Sequence, residues 1–251
     1  IGPILDPLAK PDQIDGKSLN NINRNLSPVA DAIKLTKLSL PKETALIGFA
    51  GAPWTLITYI DEGKSSRDFS KARLWAWEEK KALDKLIEIL IEATISFLSI
   101  QAEAGAECLM LFDSWASAVP ATQRDWLVIN PTRDIVTGVR QRGFSQPIIG
   151  FPKGLGDGLI KYAVEAGVDA LGLDHGVDPF WANKYLPKKL PVQGNLDPLS
   201  LLSADYSMLD SIDQILEAFY DRPHIFNLGH GITPNTPIEN VQLMIDHIRN
   251  R

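Results

Sequence analysis

The sequence lacks features that mark several common protein classes. It contains one cysteine, Cys108, so no disulfide can form within its 251 residues. No apolar stretch approaches the roughly 18 residues that a membrane helix needs, so we expect no membrane association. The net charge of −6 lacks the basic excess of a non-specific nucleic-acid binder, and we expect no nucleic-acid partner. The single cysteine fits a reducing compartment, and we predict a cytoplasmic location.

Several common catalytic motifs are also missing. No Gly-x-Gly-x-x-Gly turn follows the first apolar segment, and Ser114 follows Phe-Asp instead of lying between glycines in a nucleophile elbow. There are four histidines and no His-Glu-x-x-His. Asp174, His175 and His230 are a conceivable set of metal ligands, but base rates disfavour it, and we predict no metal site.

Six short apolar segments stand out in what remains. Each is mostly continuous in hydrophobicity and then runs into glycine, proline or a polar residue. Continuous apolar runs are typical of strands buried on both faces of a parallel sheet. The segments are 45–53 (ALIGFAGAP), 108–114 (CLMLFDS), 147–154 (PIIGFPKG), 170–176 (ALGLDHG), 190–198 (LPVQGNLDP) and 224–231 (HIFNLGHG).

Amphipathic helical patterns fill the intervals between these segments. The pattern over residues 69–104 is too long for an ordinary crossover helix, so we predict two helices or one bent helix. Thr236-Pro237-Ile238-Glu239 is typical of a capping box with proline at the first helical position, opening a helix that ends near Arg249. Ser27-Pro28 is typical of another helix start, after an irregular arm over residues 1–25.

The alternation of strands and helices predicts the α/β class with parallel strands. An open doubly wound sheet and a closed barrel are both compatible with that alternation. The missing dinucleotide-binding turn disfavours the open sheet, and polar residues at every strand end favour a (β/α)8 barrel of the TIM type. We therefore predict a single barrel domain over residues 1–251, with six of eight strand–helix units present and the N-terminal strands missing.

Polar side chains follow every predicted strand, at the end where barrel enzymes build their active sites. Lys153 could act as a Schiff-base lysine, although an anion-binding or solvated lysine is the commoner case. His230 lies between Gly229 and Gly231, and glycines on both sides would let the backbone approach a ligand closely. The residues at the ends of the six segments, or just beyond them, are Trp54, Thr55, Tyr59, Asp113, Ser114, Lys153, Asp174, His175, Asn195, Asp197, Asn227 and His230.

Taken in order, these segments resemble the uroporphyrinogen decarboxylase family. The most specific match is the segment 48–55 (GFAGAPWT), which continues to Thr58-Tyr59. The other matches follow in the family's order and at plausible spacing, so the resemblance covers nearly the whole chain from residue 45 on. They are 111–114 (LFDS), 172–174 (GLD), 193–198 (QGNLDP) and 227–231 (NLGHG).

The resemblance implies a fold and a reaction. The family's fold is a (β/α)8 barrel, and its substrate is a tetrapyrrole with four acetate and four propionate arms. Each acetate becomes a methyl group with loss of CO2, giving coproporphyrinogen. Protonation of the pyrrole ring makes a cationic electron sink, so the reaction needs no metal or organic cofactor. The enzyme supplies positioning, a proton source and electrostatic stabilisation.

The resemblance also implies roles for particular residues. Tyr59, Ser114 and His230 match positions that contact the acidic arms or the pyrrole rim of the substrate, and Lys153 is carried as a possible helper. A histidine that is cationic near neutral pH would strengthen such a contact. The family is typically a homodimer.

Two of the family's segments have no counterpart in the sequence. They are an arginine-rich segment and a Phe-Ser-Asp-Ile segment, which hold the arginines that neutralise carboxylates and the principal aspartate. Ile1-Gly2-Pro3 resembles the stretch just beyond that aspartate, so we expect the aspartate upstream of Ile1. The residue that carries catalysis within the sequence is therefore unknown.

Two alternatives stay open beside the decarboxylase. The first is a zinc-dependent methyltransferase of the related barrel family, acting on corrinoid or thiol substrates through a His-x-Cys and a distant cysteine. Against it, the third segment reads Gly150-Phe-Pro-Lys153, and Cys108 precedes the polar end of its strand. The second alternative is a non-catalytic fragment that binds tetrapyrroles.

Overall fold

The computed structural model describes residues 6–14, 16–63, 66 and 68–251. It forms two compact units, Ile1–Val168 and Asp169–Arg251. Ile1-Gly2-Pro3, which resembles the stretch beyond the family's aspartate, lies outside the described residues. The single barrel domain of the sequence analysis stays a prediction.

Among its described residues, the first unit has three parallel strands with helices between them. Strand β2 pairs with both β1 and β3, so Met110 lies opposite Phe49 on one side and Ile149 on the other. Short 3-10 and π-helical turns complete the unit. Its helices and strands are α1 (Ile22–Ser39), β1 (Ile47–Gly51), α2 (Pro53–Glu62), α3 (Ser70–Glu78), α4 (Lys80–Glu103), β2 (Cys108–Asp113), α5 (Asn130–Gln141), β3 (Ile148–Pro152) and α6 (Gly158–Glu165).

Strand β1 differs from the prediction of strands buried on both faces. Ile47 and Phe49 are 41% and 61% exposed, whereas the residues of β2 and β3 are buried or half-buried. On the other face of β1, a Cβ on Gly48 would lie 2.9 Å from Oε1 of Gln101 in α4. The Gln101 amide also accepts from Phe49 N–H at 2.9 Å and donates to the Phe49 carbonyl at 2.8 Å. In the described residues β1 is therefore packed on one face only.

Helix α1 begins earlier than the sequence suggested. Residues 22–25, predicted as part of an irregular arm, are helical, and Ser27-Pro28 lies inside the helix instead of starting it. Pro28 cannot donate a hydrogen bond to the carbonyl of Arg24 one turn back. The Ser27 hydroxyl donates to that carbonyl at 3.0 Å, so the helix continues past the proline.

Of the two possibilities predicted for residues 69–104, two helices or one bent helix, the structure has two helices. Helices α3 and α4 meet at Glu79, whose φ of −118° interrupts the helical path. The apolar face predicted for the second helix is buried, including Leu83, Leu86 and Leu98. This face anchors α4 in the first unit and supplies much of its hydrophobic stabilisation.

The second unit also has three parallel strands among its described residues. Leu171 lies opposite Val192, which lies opposite His224, so β5 is the middle strand. These strands are shorter than the predicted segments, because the polar tails of the segments form turns. The helices and strands are β4 (Ala170–Gly172), α7 (Pro179–Tyr185), β5 (Val192–Gln193), α8 (Pro198–Ser203), α9 (Tyr206–Ala218), β6 (His224–Ile225) and α10 (Ile238–Arg249).

The capping box predicted for α10 is wrong, although the helix ends at Arg249 as expected. Pro237 occupies the cap position, and no side chain caps the first turn. The Thr236 hydroxyl instead shares a hydrogen bond of 2.8 Å with the hydroxyl of Thr233. The Thr236 side chain therefore forms a hydrogen bond within the preceding turn instead of capping the helix, as threonine side chains often do.

Both units have parallel strands that alternate with helices, which confirms the predicted α/β class and is consistent with part of a (β/α)8 barrel. No described helix combines the length and apolar character that crossing a membrane requires.

Candidate functional site

Asp113 ends β2 as a deeply buried carboxyl group. Its side chain is 1% exposed, and the Thr55 hydroxyl donates to Oδ1 at 2.7 Å. The second oxygen, Oδ2, has no hydrogen-bond partner within the described part of the chain. Burial raises the pKa of Asp113 to about 7, against the lowering effect of the Thr55 hydrogen bond. This carboxyl group can therefore hold a proton near neutral pH, as a general acid must.

The turn from β1 into α2 brings Thr55 to Asp113. Ala52 N–H donates to the Phe112 carbonyl at 2.8 Å, and the Trp54 indole Nε1–H donates to the Trp115 carbonyl at 3.0 Å. Proline at the first position of α2 suits the start of a helix. Residues 51–55 (GAPWT) thus form a turn that is hydrogen-bonded to the end of β2 and to the loop after it.

Lys153 follows β3 beside the same strand end. Its N–H donates to the Asp113 carbonyl at 3.0 Å, and its carbonyl accepts from Ser117 N–H at 3.1 Å. The ammonium Nζ lies 6.0 Å from the centroid of the Trp115 ring. The face of an aromatic ring attracts an ammonium group, so this position suits an anion-binding role for Lys153.

Tyr59 and Ser114, both predicted to bind substrate, are half-buried in this unit. Ser114 directly follows Asp113, and Tyr59 lies four residues after Thr55, on the same face of α2. Within the described part of the chain, neither hydroxyl makes a side-chain hydrogen bond. Both are therefore available to a ligand at the strand end that Asp113 and Lys153 share.

The strand ends of the second unit are held together by backbone contacts. The Asn195 amide donates to the carbonyls of Asp174 at 2.9 Å and Val177 at 2.7 Å. A Cβ on Gly229 would lie 2.2 Å from the backbone nitrogen of His175, so only glycine allows this approach. The close approach that we expected Gly229 to allow toward a ligand is thus made toward the protein's own backbone.

His230, the third predicted substrate contact, belongs to this second unit and is exposed. Its other neighbour, Gly231, has open space around the position of a Cβ.

Three other polar residues at these strand ends have structural roles. Asp174 Oδ1 accepts from Gly176 N–H at 2.8 Å, and Asp197 Oδ1 accepts from Leu199 N–H at 2.9 Å, which caps α8. Asn227 Oδ1 accepts from the N–H of the next residue at 2.8 Å. Turn and cap chemistry thus accounts for polar residues that the sequence grouped with the site.

The conceivable metal set of Asp174, His175 and His230 gains no support. Among the described residues, no group of three or more histidine, cysteine, aspartate or glutamate side chains could hold a metal ion. Cys108, which the methyltransferase alternative would need, is half-buried at the start of β2 and not at its polar end.

Arg73 and Trp115 are polar groups that the sequence did not single out. Together with Asp68, Phe69 and Ser117 they line a cavity of about 420 Å³ between the start of α3 and the loop after β2. The one sequence feature that pointed to Trp115 as a site residue was its position directly after Ser114. Nothing in the sequence distinguishes Arg73 from Lys71, the other basic residue of its helix.

Comparison with known proteins places the chain in a family. The family model described as uroporphyrinogen decarboxylase (URO-D) matches residues 1–251. The chain is 45% identical to uroporphyrinogen decarboxylase of Novosphingobium aromaticivorans over 248 residues, covering 99% of this chain and 72% of that protein. It is 44% identical to the protein of the same name from Maricaulis maris, covering 100% of this chain and 72% of that protein. The chain belongs to the uroporphyrinogen decarboxylase family.

A solved structure supports the fold. A methyltransferase from Methanosarcina mazei superposes with a TM-score of 0.75 at 18% sequence identity. The match covers 88% of this chain and 63% of the methyltransferase chain. At that identity the likeness concerns the fold alone.

Proposed function

We propose that the chain takes part in the decarboxylation of uroporphyrinogen, converting its four acetate side chains to methyl groups and giving coproporphyrinogen. The observation that carries this proposal is the match to proteins named uroporphyrinogen decarboxylase along the whole chain, at 45% identity. The methyltransferase alternative has a fold likeness only, at 18% identity.

The reaction needs an electron sink and a proton for each acetate. Protonation of the pyrrole ring beside the acetate makes the ring cationic, and the C–C bond electrons then flow into the ring as CO2 leaves. The exocyclic carbon takes up a proton and the ring releases one, so each turnover consumes one proton and forms one methyl group. The protein must hold the arms, supply protons and stabilise the cationic ring.

Tyr59, Ser114 and His230 are the residues to which we assign substrate contacts. The half-buried, unpartnered hydroxyls of Tyr59 and Ser114 support this assignment in the first unit. Lys153 is the helper, because its ammonium group adds positive charge near the strand end where Ser114 lies. His230 is exposed in the second unit and can donate to a carboxylate from either ring nitrogen when protonated.

The direct test is conversion of uroporphyrinogen under anaerobic, reducing conditions, followed by oxidation and chromatography of the porphyrins. We expect hepta- to tetracarboxylate products in order of time, with heat-treated protein as the control. Recovery of the octacarboxylate alone would contradict the decarboxylase and favour the non-catalytic tetrapyrrole-binding alternative. His230→Asn should raise KM about 10-fold if it loses a charged hydrogen bond to an arm.

We also propose a cytoplasmic homodimer. Leu74 and Trp77, one turn apart on α3, are 50% and 63% exposed, so they form an adjacent pair of apolar side chains that a second copy of the chain would cover. Sedimentation should give twice the mass of the full chain, and Trp77→Glu should shift it toward the monomer. A monomeric wild-type protein would remove this part of the proposal.

A further inference from the structure

The cavity beside the loop after β2 has a lining that suits an anion. It occupies about 420 Å³ and is bounded by the start of α3 on one side and by Trp115 to Pro120 on the other. None of the residues assigned to substrate above lines it. Arg73 and Trp115 supply its nitrogen donors, and Ser117 adds an exposed hydroxyl.

Two of these donors are buried without an acceptor. Nε of Arg73 and Nε1 of Trp115 are both shielded from solvent, and neither has a hydrogen-bond partner among the described residues. Donors that are removed from water and left unpaired destabilise a folded protein, so buried N–H groups are nearly always paired. Two residues that line one cavity each carry such a donor, and this pairing points to an acceptor from outside the described chain.

The charge around the cavity indicates that this acceptor is an anion. The Arg73 guanidinium makes no ion pair with any described residue, and Lys153 lies beside the Trp115 ring. Asp68 is the acidic residue in the lining, and its Oδ1 accepts from Ser70 N–H at 3.3 Å at the start of α3. A planar guanidinium with an indole N–H matches a carboxylate, which accepts several hydrogen bonds at once.

The lining is held in place before any ligand binds. The Trp54 indole N–H donates to the Trp115 carbonyl at 3.0 Å. The Trp115 ring packs against the Phe69 ring, with their centroids 4.7 Å apart. Phe69 has a left-handed φ of 50°, an unfavourable conformation for a residue with a side chain. On the opposite side, a Cβ on Gly154, at φ 70°, would lie 2.7 Å from Ser117 Cβ. Such tight packing preorganises a binding site.

We propose that Arg73 and the Trp115 indole form a carboxylate-binding subsite for one acidic arm of the tetrapyrrole. This inference rests on the proposed function, because that substrate carries eight carboxylates and the residues assigned above can hold only a few of them. The subsite binds an arm that is not reacting. It therefore contributes to affinity and orientation and leaves the chemical step to other groups.

The test compares two subsite variants with two surface controls in the full chain. Arg73→Gln removes the charge, and Trp115→Phe removes the indole N–H while keeping an aromatic ring against Phe69. The controls are Arg133→Gln, an arginine on the exposed face of α5, and Trp181→Phe, a half-buried tryptophan on α7. We expect KM for uroporphyrinogen to rise about 10-fold or more in Arg73→Gln and about 3-fold in Trp115→Phe, with kcat nearly unchanged.

A binding measurement separates the subsite from the proposed function. Uroporphyrin, the oxidised octacarboxylate, does not react, and its affinity can be followed by quenching of its fluorescence. If the wild type binds uroporphyrin and Arg73→Gln binds about 10-fold more weakly, the subsite stands even where no decarboxylation is seen. Arg73→Lys should recover part of that loss.

Two outcomes would overturn the inference. One is unchanged KM and uroporphyrin affinity in both subsite variants, with melting curves showing that they are folded. The other is competition by millimolar inorganic phosphate that disappears in Arg73→Gln while porphyrin affinity is retained. The cavity would then hold a small free anion and no arm of the substrate.

Discussion

The strand ends of the two units differ in how closely their polar side chains are bound to the backbone. In the first unit, Asp113 Oδ2 and Trp115 Nε1 are buried with no partner among the described residues. In the second unit, Asn195 Oδ1 is also buried without a described partner, but the Asn195 amide nitrogen donates to two carbonyls, and Gly229 lies against the backbone of His175. Unpaired buried groups cost stability, whereas paired ones rigidify their surroundings. Among the described residues, the second unit therefore binds its strand ends more closely to the backbone than the first unit does.

The largest expected effect is on how the free energy of unfolding depends on pH, through Asp113 in the first unit. The folded pKa of Asp113, about 7, exceeds its ordinary value of 3.8, so the folded protein holds a proton that the unfolded chain releases between these values. Stability should therefore fall as pH rises from about 4 to about 7, by on the order of 4 kcal/mol from this group. Asp113→Asn should lack that decline in urea unfolding at pH 4, 5.5 and 7.5.

Thr55→Val supplies the matched variant for this prediction. It removes the hydrogen bond that lowers the Asp113 pKa, so the decline should extend to higher pH. Parallel pH profiles for wild type and Asp113→Asn would show that the carboxyl is ionised in the folded protein, and the contrast between the units would then weaken.

The next effect concerns the backbone packing of the second unit. In Gly229→Ala the new Cβ would meet the backbone of Asp174 and His175, which cannot move aside as a side chain could. We expect a loss of about 3 kcal/mol in the free energy of unfolding. Gly231→Ala, with no atom within 4 Å of its Cβ, should change it by less than about 0.5 kcal/mol. Equal stability of the two variants would mean that this packing is loose.

A smaller loss is expected from Arg222, which supports the same unit. Arg222 is 6% exposed, and its guanidinium donates to the carbonyls of Pro187 at 2.8 Å and Leu190 at 2.7 Å. Burial lowers its pKa, but the carbonyls still hold the group in place. Arg222→Met should cost about 2 kcal/mol by leaving these carbonyls unpaired, measured by urea unfolding. The exposed Arg249→Met is the control, and an equal effect of both substitutions would refute this role.

The smallest effect is on turnover and not on stability. Tyr59→Phe removes a hydroxyl that no described residue binds, so the melting temperature should stay constant. Decarboxylation should slow about 10-fold if that hydroxyl contacts the substrate. Tyr220→Phe, at a tyrosine that is 92% exposed, serves as the control. Unchanged turnover would remove Tyr59 from the site and leave Ser114 as the hydroxyl at this strand end.

Much of the secondary structure could be predicted from hydrophobic pattern. All six apolar segments contain strands, and the long pattern after residue 69 divides into α3 and α4. The errors lie where side chains had a choice of partners. The Thr236 hydroxyl bonded Thr233 instead of capping α10, and the Ser27 hydroxyl let α1 run through Pro28. Short-range bonding of this kind depends on backbone geometry that the residue order does not specify.

The candidate site was predictable only in part. Asp113, Ser114 and Lys153 were identified because they follow apolar runs, and the structure places them at neighbouring strand ends. Arg73 was not, because a basic residue on a helix is usually solvated. Its unpaired buried Nε exists only because α3 packs beside the loop after β2.

The sequence by itself determined which segments are strands, which residues follow them, and the family to which their order belongs, because these depend on local pattern and on identity along the chain. Only the tertiary structure decided which polar groups are satisfied. Asp113 and Asn195 are both deeply buried polar residues at a strand end, yet one carries a raised pKa and the other bonds two carbonyls. That difference arises from desolvation and from the positions of neighbouring donors and acceptors, which are fixed when the helices and loops pack around the strands.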